Sequence, residues 1–347
     1  MSTQTSLTSL TSLTSLTSLT SLTSLTSLSG GATWVGLPMM AESLNRSRSA
    51  TTGVPASPVR YTDLPTWLSV GADMAAYEPI VRYYTCLHEI VASTRFIPPT
   101  AANIDTASVE TDGRALIKLT RPSIQAFSAR QLDLVNEWSS LREDRANEIV
   151  AQIPPPLAFW SSAMNLQQTR HAHTLEILNL ALAFAAITAF RFKQAFGCPR
   201  PASYSSDIQP MIPTPEHSSL PSGHATEAFM VANVLAMLAG NSRKEARTLL
   251  PLLAGRIAVN RTIAGVHFPI DSHAGMHLGN AMAGHFLAHA GALGAQTELS
   301  PVLSPADDFL PKEHAAILDF AQITPISSGP AANCVQWLFN AAREEWQ

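Results

Sequence analysis

Three short stretches of the chain concentrate side chains that suit one kind of chemistry. In RFKQAFGCPRP, Lys193 and Arg200 are separated by six residues. LPSGHAT carries Ser222, Gly223 and His224 directly ahead of the apolar run AFMVANVLAML. NRTIAGVHFPID holds Arg261, His267 and Asp271. Singly, each has an ordinary explanation: a solvated helix end, a helix start, a polar face. Together they describe a grip on a tetrahedral oxyanion. Lys193 supplies a point charge, and Arg200 and Arg261 supply two planar forks of donors. Ser222 and Gly223 add backbone N–H groups at a helix N-terminus, where the dipole favours negative charge and a missing side chain lets the backbone approach. The two histidines are needed only if something reacts. His267 can present one ring nitrogen to the central atom while Asp271, four residues on, orients the other. His224 can donate or accept a proton at an apical oxygen.

In order and internal spacing the three stretches resemble the signature shared by type 2 phosphatidic acid phosphatases, bacterial acid phosphatases and vanadium-dependent haloperoxidases. The resemblance covers residues 193–271, and helical character extends it to about 70–295. It implies an all-α helical bundle of the acid phosphatase and vanadium haloperoxidase type. The third segment departs from the family pattern in one place, where Asn260 precedes Arg261 and the family has serine.

The resemblance leaves two activities open. In the phosphatase branch the residue matching His267 is the nucleophile that forms a phosphohistidine on a phosphate monoester, and His224 protonates the leaving group. In the haloperoxidase branch the same pocket holds vanadate as cofactor, with His267 the residue bonded to the metal, and halide is oxidised with hydrogen peroxide. Phosphate and vanadate are isosteric, so the three segments do not separate the branches. PSGHAT and Gly265-Val266-His267 resemble the soluble haloperoxidases, closest to the bacterial haloperoxidase-like members. His217, seven residues before His224, matches a position shared with bromide-oxidising members where chloride-oxidising ones carry an aromatic. The expectation is a haloperoxidase acting on bromide or iodide, with a soluble acid phosphatase as the alternative. A non-catalytic anion-binding bundle would leave His224 and His267 without a task.

The remaining chemistry-bearing residues read as structural. His273 with His277 and His285 with His289 are i, i+4 pairs without a third ligand at metal spacing, so they are expected on polar helix faces or subunit contacts. Cys86, Cys198 and Cys334 are odd in number and far apart, which argues against a disulfide framework. Trp138, Trp160, Phe229 and Phe286 are assigned to packing.

These groups must be positioned by helices. Apolar residues recur near period 3.6 from about Asp73 onward, and no strand-like alternation competes with them. A helix is expected from Ala129 to Gln152, ended by Pro154, Pro155 and Pro156. Another runs from Thr174 to Ala195, followed by a proline-rich loop from Gly197 to Leu220 and a helix from Ser222 to about Leu238. Ser242 and Glu245 form a capping box for the next, and Pro269 suits the first turn of a helix holding Ala274 to Ala290. Terminal helices are expected near Lys312–Phe320 and Ala332–Glu345. Gly275, Gly279 and Ala283 are spaced four apart, so a neighbouring backbone can approach closely there. That helix could equally serve a contact between copies in a homo-oligomer.

At 347 residues, 46% hydrophobic and 14% charged, the chain has ample material for a core, and a net charge of −4 argues against a nucleic-acid partner. Thr-Ser-Leu repeats fill residues 5–28. Residues 1–60 are expected to be disordered low-complexity chain, with 61–347 a single helical domain. No signal peptide is recognised. Ile177–Phe190 and Ala228–Gly240 fall short of the roughly 18 apolar residues of a spanning helix, so a soluble, cytoplasmic protein without a membrane span is expected.

Overall fold

The computed structural model describes residues 37–52, 74–240, 243, 245–294, 297–318 and 331–347. The first element, α1 (Leu37–Thr52), is a helix inside the stretch expected to lack structure. Arg46 reaches Glu42 one turn back, the i, i+4 pairing that supports an isolated helix. The Thr-Ser-Leu repeats lie outside the described residues.

Helix α2 (Pro79–Ala92) leads into a feature that the expectation of an all-α fold does not contain. Strands β1 (Arg95–Ile97), β2 (Thr106–Thr111) and β3 (Arg114–Thr120) form an antiparallel sheet in the order β1-β2-β3. The turn between β2 and β3 is Asp112-Gly113, both at positive φ (48° and 74°), the conformation that a tight two-residue hairpin demands. Ala107, Val109, Ile117 and Leu119 face the core. The strands are short and flanked by long helical patterns, which is why the 3.6-residue period hides them. The domain is mostly helical with this small sheet at one side.

The sheet bears on the site. Phe96 meets Phe192 edge-on at 5.1 Å, and Arg121, which follows β3, donates to the Phe196 carbonyl at 2.6 Å. That carbonyl belongs to the otherwise unpaired C-terminal turn of the helix that carries Lys193.

The stretch expected as one helix to Gln152 is broken. A π-turn at Phe127–Gln131 precedes α3 (Leu132–Trp138), a 3₁₀ turn at Ser139–Leu141 and α4 (Arg142–Ala151). α5 (Leu157–Met164) follows the prolines.

The core is built by α6 (Ala172–Phe196), α7 (Gly223–Ala239), α8 (Ala246–Ile263) and α9 (Pro269–His289), with α7 packed against the other three. α8 begins at Ala246 with Glu245 as its N-cap residue; Ser242 lies outside the described residues. α10 (Cys334–Glu344) packs on α6 and α2, and Pro311–His314 makes one short turn where a longer helix is expected.

The segment Ala172–Ser203, with α6 at its heart, is long and apolar enough to cross a membrane, contrary to the shorter run read from Ile177 to Phe190. Glu176, near the start of α6, is clamped by Arg82 of α2 through two bonds of 2.9 and 2.7 Å. In its most apolar window, 78% is buried inside the bundle, so its apolar faces are already taken by neighbouring helices.

α7 and α9 touch backbone to backbone. A Cβ on Gly275 would lie 2.6 Å from the Ser222 carbonyl oxygen, and one on Gly279 would lie 2.5 Å from that of Thr226. The glycine spacing therefore sets how closely the helix following His267 lies against the helix start that bears His224.

Candidate functional site

Lys193, Arg200, His217, Gly223, His224, Arg261 and His267 line one cavity of about 110 Å³. Ser222 and Asp271 sit directly behind them, fully buried. All nine residues expected at the site are brought together.

Local folding explains each position. α6 ends at Gly197 (φ 60°), leaving Lys193 in its last turn. The Lys193 ammonium donates to the Ser218 and Ser219 carbonyls at 2.9 Å each, which leaves one of its three donors for the cavity. Arg200 is held by backbone: Nε donates to the His217 carbonyl (3.0 Å) and Nη1 to that of Val266 (2.8 Å). Its Nη2 lies 3.2 Å from His217 Nδ1 and its Nη1 3.3 Å from His267 Nε2. Burial lowers the pKa of Arg200 and of Arg261 to about 10, so both stay cationic at neutral pH, and burial together with Arg200 pulls Lys193 well below the ordinary lysine value.

His267 is oriented by Asp271. Its Nδ1 lies 3.0 Å from Asp271 Oδ2, and the same oxygen accepts from Ser219 Oγ and from the Phe268 N–H at 3.0 Å, the latter bond capping α9. Burial, reinforced by Arg200 and Lys193, holds His267 well below its ordinary pKa, so the ring is neutral. With Nδ1–H directed at the carboxylate, Nε2 is unprotonated at the cavity wall, where its lone pair faces Arg200 Nη1 at 3.3 Å. Such a nitrogen can attack or bond an electrophilic centre.

His224 is fastened differently. Its Nε2 lies 3.0 Å from the Gln152 carbonyl at the end of α4, and burial followed by the Arg261 charge lowers its pKa to about 3. It too is neutral at pH 7 in the absence of an anion.

One expectation changes. The Ser222 N–H is not available to an anion, because it donates to the Asp271 carbonyl at 2.9 Å, while the Ser222 hydroxyl accepts from Ala225 N as the N-cap of α7. That bond ties the two motif segments together. Gly223 is left as the backbone donor facing the cavity.

Gln152, Ser219 and Glu227, which the sequence reading missed, complete the site. Gln152 Oε1 accepts from Asn260 Nδ2 (2.9 Å) and Arg261 Nη2 (3.1 Å), so this side chain fixes Arg261 while its carbonyl fixes His224. Asn260 also donates to Glu148 at 3.0 Å, which gives the residue before Arg261 a positioning role. Ser219 supports Asp271. Glu227 lines the cavity one turn beyond Gly223 and His224, and helical spacing from those two residues was the signal that could have found it.

The donors fit a tetrahedral oxyanion. Arg261 Nε and Nη1 are buried without any hydrogen-bond partner among the described residues, a costly arrangement unless something accepts from them. They lie in the same cavity wall as the spare Lys193 donor. Opposing this polar end, Ile153, Leu182, Ala186, Phe190 and Ile212 make the rest of the lining apolar.

His273 packs edge-on against Phe309 and His314, and His289 bonds Glu89 at 3.0 Å, so these histidines serve packing and pairing. Among the described residues no group of three or more His, Cys, Asp or Glu could hold a metal ion. The three cysteines are free thiols.

None of the curated proteins matches the chain. Residues 174–292 match the family described as PAP2 superfamily, a span that contains α6 to α9 and every one of the nine expected site residues. The chain thus carries a PAP2 superfamily domain over residues 174–292, in a superfamily that includes phosphatases and haloperoxidases.

Proposed function

We propose that this domain is a vanadate-dependent haloperoxidase that oxidises bromide or iodide with hydrogen peroxide. The observation that carries the choice is His217. Its ring stands edge-on to Phe190 at 5.3 Å and its Nδ1 lies 3.2 Å from Arg200 Nη2, so a neutral imidazole forms the cavity wall beside the cationic cradle. Burial, then the charges of Lys193 and Arg200, lowers its pKa to about 4.

When bound, vanadate supplies a centre at which hydrogen peroxide is activated for two-electron oxidation of halide. The chain's own residues do the rest. Lys193, Arg200 and Arg261 offset the anion's charge, and the unpartnered Arg261 donors gain acceptors. Gly223 adds a backbone donor. His267, fixed by Asp271, would hold the anion through Nε2. His224 takes up or releases a proton at an anion oxygen.

The unprotonated Nε2 of His267 also favours a second reading, hydrolysis of phosphate monoesters through a phosphohistidine at the same place. One experiment separates the two: purified protein is given orthovanadate, peroxide and bromide with a phenol dye, and in parallel an aryl phosphate without vanadate. Vanadium-dependent dye bromination is the expected result. Hydrolysis of the aryl phosphate without bromination would replace the first reading by the second.

A further inference from the structure

An anion pocket has an awkward neighbour in Glu227. The residue stands on α7 at i+4 from Gly223 and i+3 from His224, so all three share one helix face, and its carboxyl lines the cavity. A Cβ built on Gly223 would lie 4.0 Å from Glu227 Oε1 and 3.9 Å from Lys193 Cε, which places the carboxyl and the lysine stem together over the backbone donor. Glu227 makes no ion pair or hydrogen bond among the described residues, since the Lys193 ammonium is turned to the Ser218 and Ser219 carbonyls. A carboxylate here would repel the anion that the rest of the pocket attracts.

The conflict disappears if the group is neutral. On the oxyanion reading given above, we propose that Glu227 is a protonated carboxylic acid that donates a hydrogen bond to the bound anion, and that its ionisation weakens anion binding.

Burial raises its pKa to about 8 although Lys193 opposes the shift, whereas His224 lies near 3. The groups facing the cavity from the surrounding elements are Lys193, Arg200, His217, Arg261 and His267, and none of them is an acid. Glu227 is thus the one carboxyl in this lining, and near neutral pH it is the group that holds a proton while the neighbouring imidazoles do not. Environments that push two titratable groups apart in this way separate a proton donor from a proton acceptor.

Tungstate tests this without turnover, because it is a tetrahedral dianion whose charge is constant between about pH 6 and 10, so its own protonation does not enter. Its affinity is measured by calorimetry at intervals across that range for the native protein and for Glu227→Gln, which keeps the donor and cannot ionise. Native affinity should fall as pH rises through about 8, by about tenfold or more for a unit charge a few ångströms from the anion. Because Glu227 also raises the Lys193 pKa, the comparison is repeated in a Lys193→Met background, and in both backgrounds the Glu227→Gln profile should be flatter by that factor. An infrared difference spectrum of the native protein against Glu227→Gln at pH 6.5 should contain a protonated carboxyl band. Native protein that binds tungstate with the same pH profile as Glu227→Gln, or that lacks the carboxyl band, overturns the role of Glu227 alone. Native protein that binds no tungstate at any pH overturns the oxyanion reading and this inference with it.

Discussion

The two histidines of the cavity are held in opposite ways. On one side, His267 is fastened through Asp271 to Ser219, to the Phe268 backbone and, through the Ser222 N–H, to the start of α7. On the other, His224 is held only by backbone, chiefly the Gln152 carbonyl, at a helix end next to three prolines. An imidazole that must hold an atom at a fixed place gains from a carboxylate that fixes its tautomer and tilt. One that must pass a proton works through a hydrogen bond that can be exchanged. The rigid side lies where α7 and α9 meet through glycine, and the looser side lies where the chain leaves α4.

The most severe way to break this comparison is to remove each ring in turn. His267→Ala keeps Lys193, Arg200 and Arg261 but removes the bond to the central atom, so vanadate should wash out during gel filtration and peroxidase activity should fall to background. His224→Ala should retain most of the vanadate while turnover drops about 10² to 10⁴-fold, the usual contribution of a positioned proton carrier. Bound vanadium and turnover are measured for both. Metal lost from His224→Ala and kept by His267→Ala would reverse the two roles.

Next in size is the loss of orientation on the rigid side. Asp271→Asn retains the volume but offers the His267 Nδ1–H a weaker, neutral acceptor, and it leaves Ser219 and the Phe268 N–H with a poorer partner. An outer-shell change of this kind typically costs about 10 to 100-fold in affinity. Vanadate titration reads it directly, and unaltered affinity would mean that Asp271 only caps α9.

How legible this was in the sequence follows from the same contrast. The rigid side is built from residues at short fixed spacings, His267 to Asp271 and Gly275 to Gly279, so a one-dimensional reading finds them. Gln152 escapes because it lies 109 residues from its partner Arg261 and carries no motif of its own. Ser222 was identified for the right place and the wrong donor: its N–H is spent on Asp271, a pairing between segments that spacing within one segment does not reveal. The hairpin at 106–120 was missed although Asp112-Gly113 is a strong turn signal, because strands of six and seven residues are short beside a helical pattern that fills most of the chain. The broken stretch before Gln152 kept its apolar period through the π and 3₁₀ turns, which hid the breaks.

Protons sharpen the comparison at the level of stability. His224 is held to about 3, and His277 and His285, outside the site, to about 4, in each case first by burial. The unfolded chain protonates such residues near 6.5. Below that pH it binds protons that the folded chain refuses, so the stability these rings contribute falls as pH drops from about 6.5 toward 3 to 4 and is fully present above 7, outweighing the opposite contribution of Glu227. The melting temperature should therefore decline steadily on acidification, and His277→Gln, which removes one refused proton, should flatten the decline. A melting temperature independent of pH between 7 and 4 would contradict the burial of these rings.

The smallest expected effect concerns the wall between the two histidines. His217 touches Arg200 and the Ser218 carbonyl through Nδ1 and Phe190 through its ring edge, so His217→Phe keeps an aromatic ring against Phe190 and removes both ring nitrogens. Arg200 retains its bonds to the His217 and Val266 carbonyls, because both are backbone contacts that the substitution spares. Vanadate retention should thus change little. With His217 in the wall beside the halide, bromide oxidation should fall about tenfold, the consequence of one lost hydrogen bond to a charged group. The ratio of bromide to iodide rates should shift as well, since the two halides differ in how easily they are oxidised. A parallel loss of vanadate and of both halide activities would place His217 among the anion's supports and leave halide selection to another part of the apolar wall.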